Sequence, residues 1–192
     1  MFYSRLADNL VGRYEDSGDI ACLDNASQLY DRADALLFNH LTKKVTDRDA
    51  LLRFAYEVKE EYYSNAIKAS YYSNSIKQHR RNVKDANFYM ERMKSIMLYR
   101  DMLKNEVDDS KLELDRQFTA LPEIEKFVKK DKLNTHILQY DSGDSLTHMI
   151  LVRKGKKTIF KQMPISESQI RNHIGLLIDL GELYIDPDYH NH

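Results

Sequence analysis

The chain has 192 residues, with 29 lysines and arginines against 30 aspartates and glutamates, for a formal net charge of −1. This balance excludes a nonspecific nucleic-acid coat, which needs a strong positive field, and 42% hydrophobic with 31% charged residues excludes a disordered chain. Apolar runs are too short to span a bilayer, the N-terminus carries no secretory pattern and Cys22 stands alone, so an intracellular, cytoplasmic protein with no membrane contact and no disulfide framework is expected.

In chain order, Phe2, Leu6, Leu10 and Val11 recur at helical spacing between Phe2 and Tyr14, and Asp16-Ser-Gly-Asp19 ends that helix. Asp24 opens a second helix carrying Ala26, Leu29, Ala33, Leu36 and Leu37. Thr46-Asp-Arg-Asp49 has the form of a capping box with aspartate in place of glutamate. Leu51, Leu52, Ala55, Val58 and Tyr62 then start a helical stretch expected to continue to about Phe118. No glycine lies between Gly18 and Gly143 and no proline precedes Pro122, which favours long helices.

Tyr62-Tyr-Ser-Asn-Ala-Ile-Lys68 recurs as Tyr71-Tyr-Ser-Asn-Ser-Ile-Lys77. At 100° per residue this offset turns a helix by half a revolution. Either one helix is packed on both faces, or the chain bends near Ser73-Asn-Ser75. Val83, Ala86, Met90, Met93 and Met97 form a coiled-coil-like seam, with Lys77, Arg80, Arg81, Lys84, Arg92, Lys94, Arg100 and Lys104 as a solvated basic face. An antiparallel hairpin within the chain or a homodimer through the long helices would cover the seam.

Pro122 suits a first helical turn, and Pro122 to Lys132 forms a short charged helix or linker. Three parts follow: a helical oligomerisation or interaction domain over 1–120, a linker or short helix over 121–133, and a small C-terminal domain over 134–192.

The C-terminal part carries the clearest pattern. Ser166 or Ser168 can cap a helix whose stripe is Ile170, Ile174, Leu177 and Ile178, with Gly181 as its stop and Leu183-Tyr184-Ile185 as a strand. Upstream, Leu146, Met149 and Ile150 share a helical face between Asp144 or Ser145 and Gly155, and Thr158 to Met163 makes a brief helix ended by Pro164. The same residues also read as a β-hairpin, with Met149-Ile-Leu-Val152 and Thr158-Ile-Phe160 flanking a basic turn, Arg153-Lys-Gly-Lys-Lys157. Thr135 to Tyr140 can supply a further strand.

On Pro164-Ile-Ser-Glu-Ser-Gln-Ile-Arg-Asn-His-Ile174 and Leu177-Ile-Asp-Leu-Gly-Glu-Leu-Tyr-Ile185, residues 144–185 resemble the winged-helix family of helix-turn-helix domains. The fold class expected is mainly α, a long-helix body with a small winged-helix-like α+β domain. The resemblance implies a recognition helix entering a major groove. On it Ser168, Gln169, Arg171, Asn172 and His173 lie off the buried stripe and suit base contacts. Arg153, Lys154, Lys156, Lys157 and Lys161 suit phosphate contacts beside it.

No phosphate-binding glycine loop, metal-binding cysteine pair or nucleophile motif occurs, so no catalytic residue, metal ligand or cofactor is assigned. The function expected is a non-enzymatic DNA-binding regulator that dimerises through its helical body. The alternative is a helical protein-interaction adaptor, inhibitor or assembly component with a protein partner and no DNA binding.

Overall fold

The computed structural model describes residues 2–43, 62–104, 119–133, 135–143 and 145–173. Helices α1 (Phe2–Ser17), α2 (Ile20–Lys43), α3 (Tyr62–Lys77), α4 (Arg80–Lys104) and α5 (Leu121–Lys130) precede strands β1 (His136–Ser142), β2 (Thr147–Arg153) and β3 (Ile159–Met163). Residues 167–173 are again helical. The fold is mainly helical, with a three-stranded antiparallel sheet towards the C-terminus. The expected cap at Thr46–Asp49, the residues Leu51 to Val58, and the run from Ile174 to Ile185 lie outside the described residues.

Helices α1 and α2 form a hairpin. Gly18 ends α1 with φ +72°, a conformation glycine adopts without steric cost, and its N–H donates to the Tyr14 carbonyl at 2.7 Å. Asp19, and not Asp24, then caps α2: its Oδ1 accepts from the Ala21 N–H at 3.0 Å, so the helix begins at Ile20.

Of the two alternatives for the stretch beyond Tyr62, one continuous helix or a bend near Ser73-Asn-Ser75, neither holds as stated: the chain breaks just after that segment, at Gln78. Helix α3 ends at Lys77, Gln78 takes φ +47°, and α4 restarts at Arg80. A left-handed residue other than glycine costs only about 1–2 kcal/mol, so the turn needs no glycine and leaves no composition signal. The two helices fold back on each other, and Val83, Ala86 and Met90 are buried in the resulting core. Val83, Ala86 and Met90 of the seam are thus covered from within the chain.

Both copies of the tyrosine repeat lie in α3, packed on different sides. Tyr62 reaches α2, its hydroxyl donating to the Tyr30 carbonyl, whereas Tyr71 meets Phe160 of β3 edge-on at 5.5 Å. Tyr72 faces α1, donating to Glu15 at 2.6 Å and lying 5.3 Å from the Tyr14 ring. The half-turn offset is thus used to join three layers through one helix.

Tyrosines also bring polar groups into the helical core. Tyr30 donates to Asp8 at 2.6 Å, Tyr89 to Asp31 at 2.7 Å and Tyr63 to Asp34 at 2.8 Å, and Arg92 pairs with Asp34 at 3.3 Å. Burial raises the Asp34 carboxyl above its ordinary range, against the pull of Arg92 and Tyr63. Hydrogen bonds to a charged partner contribute about 1.5–3 kcal/mol each, enough to fix which helix faces meet.

Residues 147–153 and 159–163 are strands where a helix-turn-helix needs helices, so the hairpin alternative describes them. The deciding pattern has period two: His148, Ile150 and Val152 face inwards with Phe160, and Ile137, Gln139 and Asp141 of β1 stand opposite them. This layer rests on α3, α4 and α5. Helix α5 contributes Leu121, Ile124 and Val128 to the same core, with Pro122 in its first turn as expected.

Candidate functional site

The basic residues of the hairpin gather on one cleft. Gly155, at φ +65°, shapes the turn between β2 and β3, and the Lys156 N–H donates to the Arg153 carbonyl at 3.3 Å. Lys154 donates to the Asp131 carbonyl at 2.6 Å, tying the turn to the end of α5. On the other side Thr158 donates to Glu125 of α5 at 2.8 Å, and Arg80 at the start of α4 pairs with the same carboxylate.

Between these walls lies a cleft of about 710 Å³. Arg153, Lys154, Lys156, Lys157 and Lys161 line it together with Arg80 and Lys129, and Glu125 is the one carboxylate among the lining residues. Seven cations against one anion make a strongly positive rim on a chain of net charge −1. The Arg153 Nε is buried without a hydrogen-bond partner among the described residues. Beneath the rim the floor is apolar, made by Tyr71, Val83, Leu121, Val152 and Phe160. Sequence reasoning found the five hairpin cations. It missed Arg80, Lys129 and the wall formed by Asn74 and Gln78, because these meet the hairpin only in space.

The expected base-contacting residues sit elsewhere. Ser166 caps the helical segment: its Oγ accepts from the Gln169 N–H at 3.2 Å, and Gln169 Oε1 accepts from the Ser166 N–H at 2.9 Å. Ser168 shares a hydroxyl contact with Ser166 at 2.9 Å, Arg171 pairs with Glu167 at 2.5 Å, and His173 Nδ1 meets the Gln169 carbonyl at 2.6 Å. Asn172 is exposed. The Glu167 N–H donates to the Gly143 carbonyl at 2.9 Å, placing this helix at the β1–β2 loop. That loop is at the opposite end of β2 from the basic turn, about 20 Å away at ~3.3 Å per residue. None of Ser168, Gln169, Arg171, Asn172 and His173 lines the cleft, so the two expected halves of a DNA footprint are not adjacent.

The outer face of the sheet is a second surface of note. Its residues alternate with the buried set: Leu138 and Tyr140 on β1, Met149 and Leu151 on β2, Ile159 and Met163 on β3. Leu138 is 54% exposed and Tyr140 45%, and the other four are half-buried. His136, Arg153 and Lys161 stand among them. A contiguous apolar face with a cationic fringe is what a protein partner covers.

Under the sheet, Asp141 and His148 form a buried pair, with Ser64 donating to Asp141 at 3.3 Å. Burial raises the Asp141 carboxyl and lowers the His148 imidazole to about 4, Lys68 adding to the latter. Both side chains are buried in the layer under the sheet. Among the described residues no group of His, Cys, Asp and Glu could hold a metal ion, and no helix is long and apolar enough to cross a membrane.

Comparison with known proteins finds no matching family model, no matching curated protein and no matching solved structure.

Proposed function

We propose that the chain is a non-enzymatic subunit of a protein assembly, joined to its neighbour through the outer face of the sheet. The observation that carries this reading is the exposure of Leu138 and Tyr140 beside Met149, Leu151, Ile159 and Met163. The helical stripes find their partners within the chain, α1 on α2 and α3 on α4, whereas this face has none among the described residues. The partner surface is apolar at its centre and acidic at its edge, to meet His136, Arg153 and Lys161.

A second reading, the DNA-binding regulator, draws on one observation only, the seven cations around the hairpin cleft. The helical segment gives it no support, since Gln169 and Arg171 are engaged within their own helix and lie far from the basic turn.

The test is co-isolation of the tagged chain from its own cells at native expression level. The wild type should carry a stoichiometric protein partner that a Leu138→Glu, Tyr140→Glu variant of unchanged circular dichroism loses. A wild type that emerges as a lone monomer would contradict the proposal.

A further inference from the structure

The hairpin cleft joins three chemistries that one kind of ligand uses together. Its rim holds Lys129, Lys156, Lys157 and Lys161, none with a hydrogen-bond or ion-pair partner among the described residues. Exposed lysines at this density suit a chain of phosphates. Its wall holds the side-chain amides of Asn74 and Gln78, again without partners among the described residues, and amides pair with the edges of bases. Beneath them lies apolar core, and the half-buried Tyr71 ring, packed edge-on against Phe160, is the aromatic group that a base can meet.

We infer that this cleft binds single-stranded nucleic acid, with the backbone held along the β2–β3 turn and an unpaired base seated on the floor. A duplex is a poor fit, because its bases are stacked inside and only phosphates would reach the rim. The volume of about 710 Å³ lies in the range that takes a compact organic group such as a nucleoside. An acidic peptide would also satisfy the rim, and the polyglutamate competitor below distinguishes the two. The cleft shares Arg153, Ile159 and Lys161 with the edge of the outer sheet face, but its test uses the chain alone and does not depend on the assembly reading.

The test is fluorescence anisotropy with the full chain and labelled oligonucleotides of about twelve nucleotides, a length within the usual site sizes. Four probes are compared: a single strand, its duplex, a single strand with abasic positions, and a polyglutamate competitor. The single strand should bind about tenfold tighter than the duplex, and abasic substitution should cost about fivefold or more. A Lys156→Glu, Lys157→Glu variant, altered only in the exposed turn, should lose about tenfold or more at low salt. Equal binding of single strand and duplex with no abasic penalty would overturn base insertion and leave a phosphate clamp. Competition by polyglutamate as strong as by unlabelled single strand, or no binding of any probe, would overturn the nucleic-acid assignment.

Discussion

Asp141 and His148 stand directly opposite each other on β1 and β2, with Oδ2 and Nδ1 4.0 Å apart and both side chains buried. Burial disfavours both charged forms, raising the Asp141 carboxyl and lowering the His148 ring to about 4. The two groups bear on stability in opposite directions. His148 has a folded value of about 4 against an ordinary 6.5, so its contribution is full above pH 6.5 and lost as pH falls towards 4. Asp141 is raised, so its contribution is present at low pH and lost as pH rises through its folded value. The histidine shift corresponds to about 3 kcal/mol between pH 6.5 and 4. Urea unfolding across that window should show the acid loss in the wild type and a flatter profile in His148→Gln. An identical slope in both would place the acid sensitivity elsewhere.

Arg92 and Tyr89 offer a contrast in what a buried polar contact contributes. Removing Arg92 leaves the buried Asp34 carboxylate without its cation, and Arg92→Leu should lose about 3–5 kcal/mol in chemical denaturation. Tyr89→Phe removes one hydroxyl from Asp31 and should lose about 1–2 kcal/mol. Equal losses would mean that the arginine acts through packing on Phe88, 5.1 Å away, more than through its charge.

Gln78 is strained by its φ of +47° and also lines the cleft. Gln78→Gly relieves the strain and should raise stability by roughly 0.5–1 kcal/mol, net of the extra freedom glycine gives the unfolded chain. If its amide contacts a base, the same variant should bind single strands several-fold more weakly. A variant neither more stable nor weaker in binding would remove both roles.

Gln169 and Asn172 should be silent in nucleic-acid binding. The double variant Gln169→Ala, Asn172→Ala should keep oligonucleotide affinity within about twofold, since neither lines the cleft. It should lose about 1 kcal/mol of local helix stability through the broken reciprocal cap with Ser166. Loss of sequence-selective duplex binding in this variant would instead restore the recognition-helix reading.

Local chemistry was legible wherever it was decided by neighbours in sequence. The Gly18 stop, the Ser166 cap, Pro122 in a first turn and the Val83–Met90 seam all follow from adjacent residues. Residues 146–152 were ambiguous for a physical reason. Leu146, Met149 and Ile150 fit a helical face, while His148, Ile150 and Val152 fit a strand face, and only the layer beneath them selects between the two. Among candidate site residues, the basic turn was visible as a run of lysines. The separation of that turn from Gln169 and Arg171 depends on β2 running between them, which spacing along the chain does not encode. Asn74, Gln78, Arg80 and Lys129 reach the cleft through the left-handed turn at Gln78 and the docking of α5, neither of which leaves a motif.

The most direct measurement of the assembly proposal is hydroxyl-radical footprinting of the co-isolated complex against the recombinant chain alone. Leu138, Tyr140 and Met149 should be oxidised readily in the chain alone and protected several-fold in the complex. Phe2, 75% exposed at the far end of the chain, serves as the reference that a general effect would also shift. Protection confined to the sheet face would confirm that this is where the neighbour sits. Unchanged reactivity at Leu138 and Tyr140, with a partner bound, would place the interface elsewhere and contradict the proposal.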